Sequence, residues 1–104
     1  MKWVYLLLAG LFEIGFTTSM KLSEGFTKWQ GIVGFFLFGG LSFWLLLKSM
    51  QDIEMGTAYA VWAGIGASGT VLMGAILFND TLSWTKLLFL AFIIVGIVGI
   101  KLSV

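Results

Sequence analysis

Charged side chains cut this sequence into four apolar spans, and their spacing limits the possible folds more than any other feature. Trp3 to Met20 carries a single charge, Glu13, whereas Trp29 to Leu47, Met55 to Asn79 and Leu87 to Ile100 carry none. Main-chain polar groups in hydrocarbon must be satisfied within their own segment, and about 20 helical residues cross a bilayer. The spacing therefore predicts an all-α membrane protein, a single four-helix transmembrane domain over residues 1–104, with helices at about 3–21, 29–48, 55–78 and 84–102. The fourth span has a charge-free core of 14 residues and reaches spanning length with Trp84 and Lys101 at the two interfaces. An indole ring sits well at headgroup level and a lysine stem can snorkel. A cleavable signal is the other reading of the first span, but Glu13 interrupts it and no small-x-small cleavage site follows. Connectors 21–28, 48–54 and 80–83 are too short to fold independently, so the chemistry must lie within the helices.

What is missing narrows that chemistry. The chain has no Cys and no His, which excludes disulfides, a thiolate nucleophile, an imidazole base and the usual zinc ligand sets. No nucleophile and base stand at workable spacing, so no enzyme, metal or cofactor is expected. Six lysines against five acids give a net charge of +1, too balanced for a nucleic-acid footprint. Asn79-Asp80-Thr81 matches a glycosylation acceptor, a pattern too short to carry a function here.

The lysines also bear on orientation. In a four-span chain Lys2, Lys48 and Lys101 fall on one side of the membrane, and Lys21, Lys28 and Lys86 on the other. Orientation is set by the difference in positive charge, and three against three gives almost no instruction. A chain inserted both ways up can form an antiparallel dual-topology homodimer, an inverted repeat of the kind on which alternating-access transporters are built. One orientation prevailing despite the even count is the alternative. Close-packing stripes favour association: Gly56, Ala60, Gly64 and Ser68 recur every four residues in the third span, and Gly96 and Gly99 are three apart in the fourth.

Glu13 is the informative residue. It lies near the middle of the first span, roughly 15 Å along a helix, where an ionised carboxylate costs on the order of 2.5 kcal/mol or more. All six lysines lie at span ends or in connectors, so the chain offers it no permanent counter-ion. Burial penalises the ionised form, and a second Glu13 across a two-fold axis would add like-charge repulsion. A carboxyl so poised can trade a proton for a cation. The plainer reading is a protonated Glu acting as a neutral polar group between helices.

Helical spacing places Leu6, Ala9, Gly10, Glu13, Phe16, Thr17 and Met20 on one face of the first span. Gly10 gives room and Thr17 a hydroxyl; Ser42 could hydrogen-bond a carboxylate from the second span. Tyr59 and Trp62 share a face of the third, where aromatic rings attract organic cations; interfacial anchoring is the other reading of that pair.

At these residues the sequence resembles the small multidrug resistance family of bacterial exporters. The likeness runs through Gly-Leu-Phe-Glu at 10–13, Lys21-Leu-Ser-Glu-Gly-Phe-Thr27, Ser42-Phe43, Gly56-Thr-Ala-Tyr-Ala-Val-Trp62 and Gly64-Ile-Gly66. It implies an antiparallel homodimer in the bacterial inner membrane whose paired Glu13 side chains are shared competitively between protons and a cationic substrate. It further implies that Tyr59 and Trp62 line the site, that Gly64 to Gly66 lets the third helix bend, and that Gly96 belongs to a fourth-helix dimer contact. Gly10, the 56–62 run and Lys101 look like the guanidinium-exporting branch. Thr17-Thr18, Met20-Lys21 and Ser42-Phe43-Trp44 look like the branch that exports quaternary ammonium and aromatic cations. Phe16 departs from the Trp usual in the guanidinium branch, and Ala63 from the hydroxyl residue common to both. Each change removes a hydrogen-bonding group near the carboxylates and favours apolar substituents. The expectation is a proton-coupled antiporter of small organic cations, quaternary ammonium or guanidinium-type; a guanidinium-selective exporter, a small dual-topology cation channel and a membrane assembly subunit are the alternatives.

Overall fold

A computed structural model describes residues 2–103. Four helices follow in order, α1 (Lys2–Leu22), α2 (Trp29–Ser49), α3 (Met55–Leu77) and α4 (Trp84–Leu102). Each is long and apolar enough to cross a membrane. The chain has no proline to break their internal hydrogen bonding, and Lys21, Lys48 and Lys101 stand in the last turns of α1, α2 and α4, where a cation suits the helix dipole. Aromatic residues mark both ends of the bundle. The Lys48 ammonium lies 5.1 Å from the Trp44 ring and 5.9 Å from that of Tyr5, and Lys101 lies 5.1 Å from Trp3. At the opposite end Trp29 and Trp84 are exposed at the starts of α2 and α4, as suits residues of an interfacial belt.

α1 is the centre of the subunit, packed along both α2 and α3, and α4 packs against α3. The buried apolar core is correspondingly small: Leu6, Ala9, Leu45, Leu46, Ala58, Val61 and Trp62 join at one end, with Ile53 from the second connector. α4 buries no residue within the subunit, and both Gly96 and Gly99 face open space.

The first connector is tied down by Ser23, which is 1% exposed. Its hydroxyl donates to the Met20 carbonyl at 2.7 Å and accepts from the Phe26 N–H at 3.1 Å, while its own carbonyl accepts from the N–H groups of Thr27 and Lys28. Glu24, Gly25 and Phe26 turn through the left-handed region, at φ of 48°, 73° and 66°, a conformation costing roughly 1–2 kcal/mol for a residue with a Cβ. Gly31 lets α2 start directly against this turn, because a Cβ there would meet main-chain atoms of Leu22 and Ser23. Main chain cannot swing aside as a side chain can. Gly31→Ala is therefore expected to destabilise the subunit by about 1–3 kcal/mol, read as a lowered melting temperature in detergent; an unchanged melt would show that the turn yields.

Candidate functional site

Glu13 projects from α1 onto α3 at Gly66, and the fit there leaves no room for a larger residue: a Cβ on Gly66 would lie 2.6 Å from Glu13 Cγ and 3.3 Å from its Cβ. Glu13 Oε1 is shielded and has no hydrogen-bond partner among the described residues. A shielded carboxyl oxygen without a donor is costly. The subunit therefore holds a carboxyl oxygen for which the described residues supply no donor.

One turn towards the N-terminus of α1, three helices are joined through one hydroxyl. Ser42 Oγ on α2 donates to the Ala9 carbonyl of α1 at 2.7 Å and accepts from Trp62 Nε1 of α3 at 2.9 Å. Ser42 is fully buried and Trp62 is 8% exposed, so both bonds form out of water, where they fix geometry most strongly. Serine 42 is thus engaged with an indole and a main-chain oxygen rather than with a carboxylate. Ala9 is also the residue whose carbonyl lies one helical turn before Glu13, so the tie sets the rotation of α1 beside the acid.

Aromatic rings continue from that tie. Trp62 lies 5.6 Å from Tyr59 and 5.7 Å from Phe43 between ring centroids, Phe43 lies 6.0 Å from Phe16, and Phe16 lies 4.6 Å from Phe35. Phe16 is seated over Gly39, where a Cβ would approach its ring to 2.7 Å, so Phe35, Gly39 and Phe43 form one row of α2 with the Phe16 ring resting in its gap. Tyr59 is 57% exposed and Trp62 is buried. Gly10 admits Ile65 of α3, with 2.6 Å from its would-be Cβ to Ile65 Cγ2. On the other side of Glu13, Thr17 Oγ1 meets Thr70 Oγ1 at 2.6 Å.

The structure thus brings Glu13, Gly10, Phe16, Thr17, Ser42, Tyr59 and Trp62 around one stretch of α1, with Gly66 beneath the acid. Gly64 instead faces α4, where a Cβ would come within 2.7 Å of Ile97 Cδ1. Gly96 stands apart from this group on the bare side of α4. Gly39, Phe35 and Thr70 were not anticipated. Gly39 is half of a Gly-Gly pair, and Thr70 falls four residues after Gly66; each signal gains meaning only once the neighbouring helix is in place.

Chemically, the arrangement offers one removable proton, a negative charge when that proton leaves, and aromatic faces close by. It offers no fixed positive charge at that depth and, among the described residues, no cluster able to hold a metal ion. A family model described as Small Multidrug Resistance protein matches residues 1–93. The guanidinium exporter of Yersinia pseudotuberculosis serotype I (strain IP32953) is 38% identical over 103 residues, covering 99% of both chains. The guanidinium exporters of Proteus vulgaris and Salmonella typhimurium are each 39% identical over 103 residues, covering 99% of this chain and 99% and 98% of theirs. Four apolar helices and relatives of this kind make it a multi-pass protein of the bacterial inner membrane. With the match running through nearly its whole length, the chain belongs to the small multidrug resistance family.

Proposed function

We propose that this protein exports small organic cations in exchange for protons, by alternating access at a pair of Glu13 carboxylates contributed by two antiparallel copies. The observation that carries this reading is the shielded, unpartnered Glu13 oxygen in a chain whose lysines lie at helix ends. Cation and proton compete for the same carboxylates. Protonation from outside expels the cation, and deprotonation towards the cytoplasm readies the site again. Each proton moving down one pH unit supplies about 1.4 kcal/mol. If two-fold symmetry relates the two states, they are equal in intrinsic energy and the unloaded dimer switches without a free-energy gap.

The aromatic rings near Glu13 suit cations with a flat or apolar body. Tyr59, Trp62, Phe43 and Phe16 offer ring faces worth about 0.5–2 kcal/mol each to a cation held against them, while the Ser42 hydroxyl is already occupied. The names of the relatives favour a guanidinium group on the substrate, and narrow guanidinium selectivity is the second reading. Gly96 on the bare side of α4 suits contact with a second copy, and Gly64 and Gly66 suit a helix that bends during exchange.

Solid-supported-membrane currents on proteoliposomes, with guanidinium and tetraethylammonium applied side by side, test the proposal. Both cations are expected to give currents that grow with an imposed proton gradient, and the gradient is expected to drive accumulation of the cation. Current from guanidinium alone would select the narrower reading. Cation flux that only ever runs down its own gradient would mark a channel and overturn exchange.

A further inference from the structure

Along the seam between α1 and α3 the contacts follow one another turn by turn: Gly10 on Ile65, Glu13 on Gly66, Ile14 on Gly69, then Thr17 on Thr70. Beyond that last contact the seam opens into a cleft of about 120 Å³, lined by Thr17, Thr18, Lys21, Thr70, Phe78 and Asp80, with Gly74 at its wall. It lies at the end of the bundle bearing the first and third connectors. A cleft of that size and polarity has room and partners for water.

The cleft is built by the chain rather than left by loose packing. Asn79 takes a left-handed conformation, φ 56°, and the Asp80 N–H donates to the Gly74 carbonyl at 3.1 Å. The turn folds the Asp80 carboxylate back over Gly74, where any Cβ would displace it. Lys21 faces the same opening from α1, its ammonium 5.8 Å from the Phe78 ring. Lys21 and Asp80 are the charged groups that line the cleft, and α2 contributes no residue to its lining.

Between the cleft and Glu13 stands the hydroxyl pair. Thr17 Oγ1 lies 3.0 Å from the Ile14 carbonyl oxygen and 3.2 Å from that of Glu13, to which it donates. With the Thr17 proton on a main-chain oxygen, Thr70 is the donor across the 2.6 Å contact; with it turned to Thr70 the direction reverses, so the pair can pass a proton either way. In the other direction along the seam Gly10 is closed by Ile65, and the Ser42 hydroxyl beside Ala9 already has its single proton committed to that carbonyl.

We propose that this cleft is the aqueous approach to Glu13 from the membrane face bearing the first and third connectors, with Thr70 passing protons to the acid through Thr17. The inference rests on the exchange reading above. In one passage a hydronium in the cleft gives a proton to Thr70 Oγ1 and becomes water. Thr70 gives its own proton to Thr17 Oγ1, and Thr17, one helical turn from Glu13 on the same face of α1, turns its O–H from the main-chain oxygen and gives that proton to the Glu13 carboxylate. Both hydroxyls end as they began, and the carboxylate gains one proton. Asp80 at the mouth offsets the positive charge of Lys21, which would otherwise repel hydronium and cations from the cleft. In an antiparallel pair one such cleft opens to each aqueous phase, so the same side chains serve loading and release.

Thr70 is a positioning residue, and the test separates its hydroxyl from its shape. Thr70→Val keeps the shape and removes the relay; it is expected to slow the guanidinium-evoked current on the order of tenfold. Equilibrium guanidinium binding, followed by tryptophan fluorescence, should stay within about twofold of wild type, and Thr70→Ser should restore the current. Wild-type current from Thr70→Val across the working pH range would overturn the route. So would a Thr70→Ser variant as slow as Thr70→Val, or binding weakened as much as the current. If Thr70→Val fails to assemble, Asp80→Asn in the exposed connector carries the test. It should lower the current about two- to threefold in dilute salt and leave it unchanged in concentrated salt; indifference at both would overturn the mouth and the approach through it. A wild-type protein that gives current with neither guanidinium nor tetraethylammonium would overturn the exchange reading and this route together, whereas an active wild type with an indifferent Thr70→Val removes the route alone.

Discussion

Glu13→Gln is expected to abolish cation-evoked proton release and proton-driven export while leaving the fold in place. Gln has the length of Glu and rests on Gly66 in the same way, but it can neither surrender a proton nor carry a charge. Removing one member of a desolvated charge pair costs about 3–5 kcal/mol, so cation affinity should fall by roughly two to four orders of magnitude. Titration of the detergent-solubilised protein in weak buffer measures the protons released as cation is added. Release that persisted in the variant would place the exchanging group elsewhere and end the proposed mechanism.

The second large effect is expected at Gly66. A Cβ there meets Glu13 at Cγ, the middle of the side chain, so bending the carboxyl tip cannot relieve the clash. Glu13 must change rotamer or α1 must move off α3. Overpacking of this kind costs about 1–3 kcal/mol. Gly66→Ala is therefore expected to weaken cation binding or slow exchange by roughly 5- to 100-fold, although alanine is the better helix former. Binding isotherms beside a thermal melt distinguish the outcomes: the effect should appear in binding more than in melting temperature. A variant that binds and exports as well as the parent would show that the acid does not work from this contact.

The four spans could be read from the sequence because charge is costly in hydrocarbon. Glu13 stood out for the same reason, and Tyr59 and Trp62 could be put on one face by counting along one helix. The contacts that hold the acid in place depend on how separate helices are rotated against one another, which spacing within a helix does not contain. Ser42 reads as a free hydroxyl along α2, yet both of its bonds are taken once α1 and α3 lie beside it. Gly64 and Gly66 look like one flexible spot, but two residues at about 100° each point to nearly opposite sides. One admits Ile97 from α4 and the other Glu13 from α1. Thr70 and Gly39 carry no chemistry of their own to draw attention, and their meaning comes from Thr17 and Phe16 across the seam.

That divergence of two neighbouring glycines has a further consequence. α4 leans on α3 over Gly64, and the surroundings of Glu13 belong to α1, α2 and the far side of α3. If a second copy docks on the outer flank of α4 and the cargo binds at Glu13, as proposed above, residue changes on that flank would alter which companion the subunit accepts without touching the acid, and changes around the acid would alter the cargo without disturbing companionship. On that reading partner choice and cargo choice are separately mutable traits in a chain of barely a hundred residues.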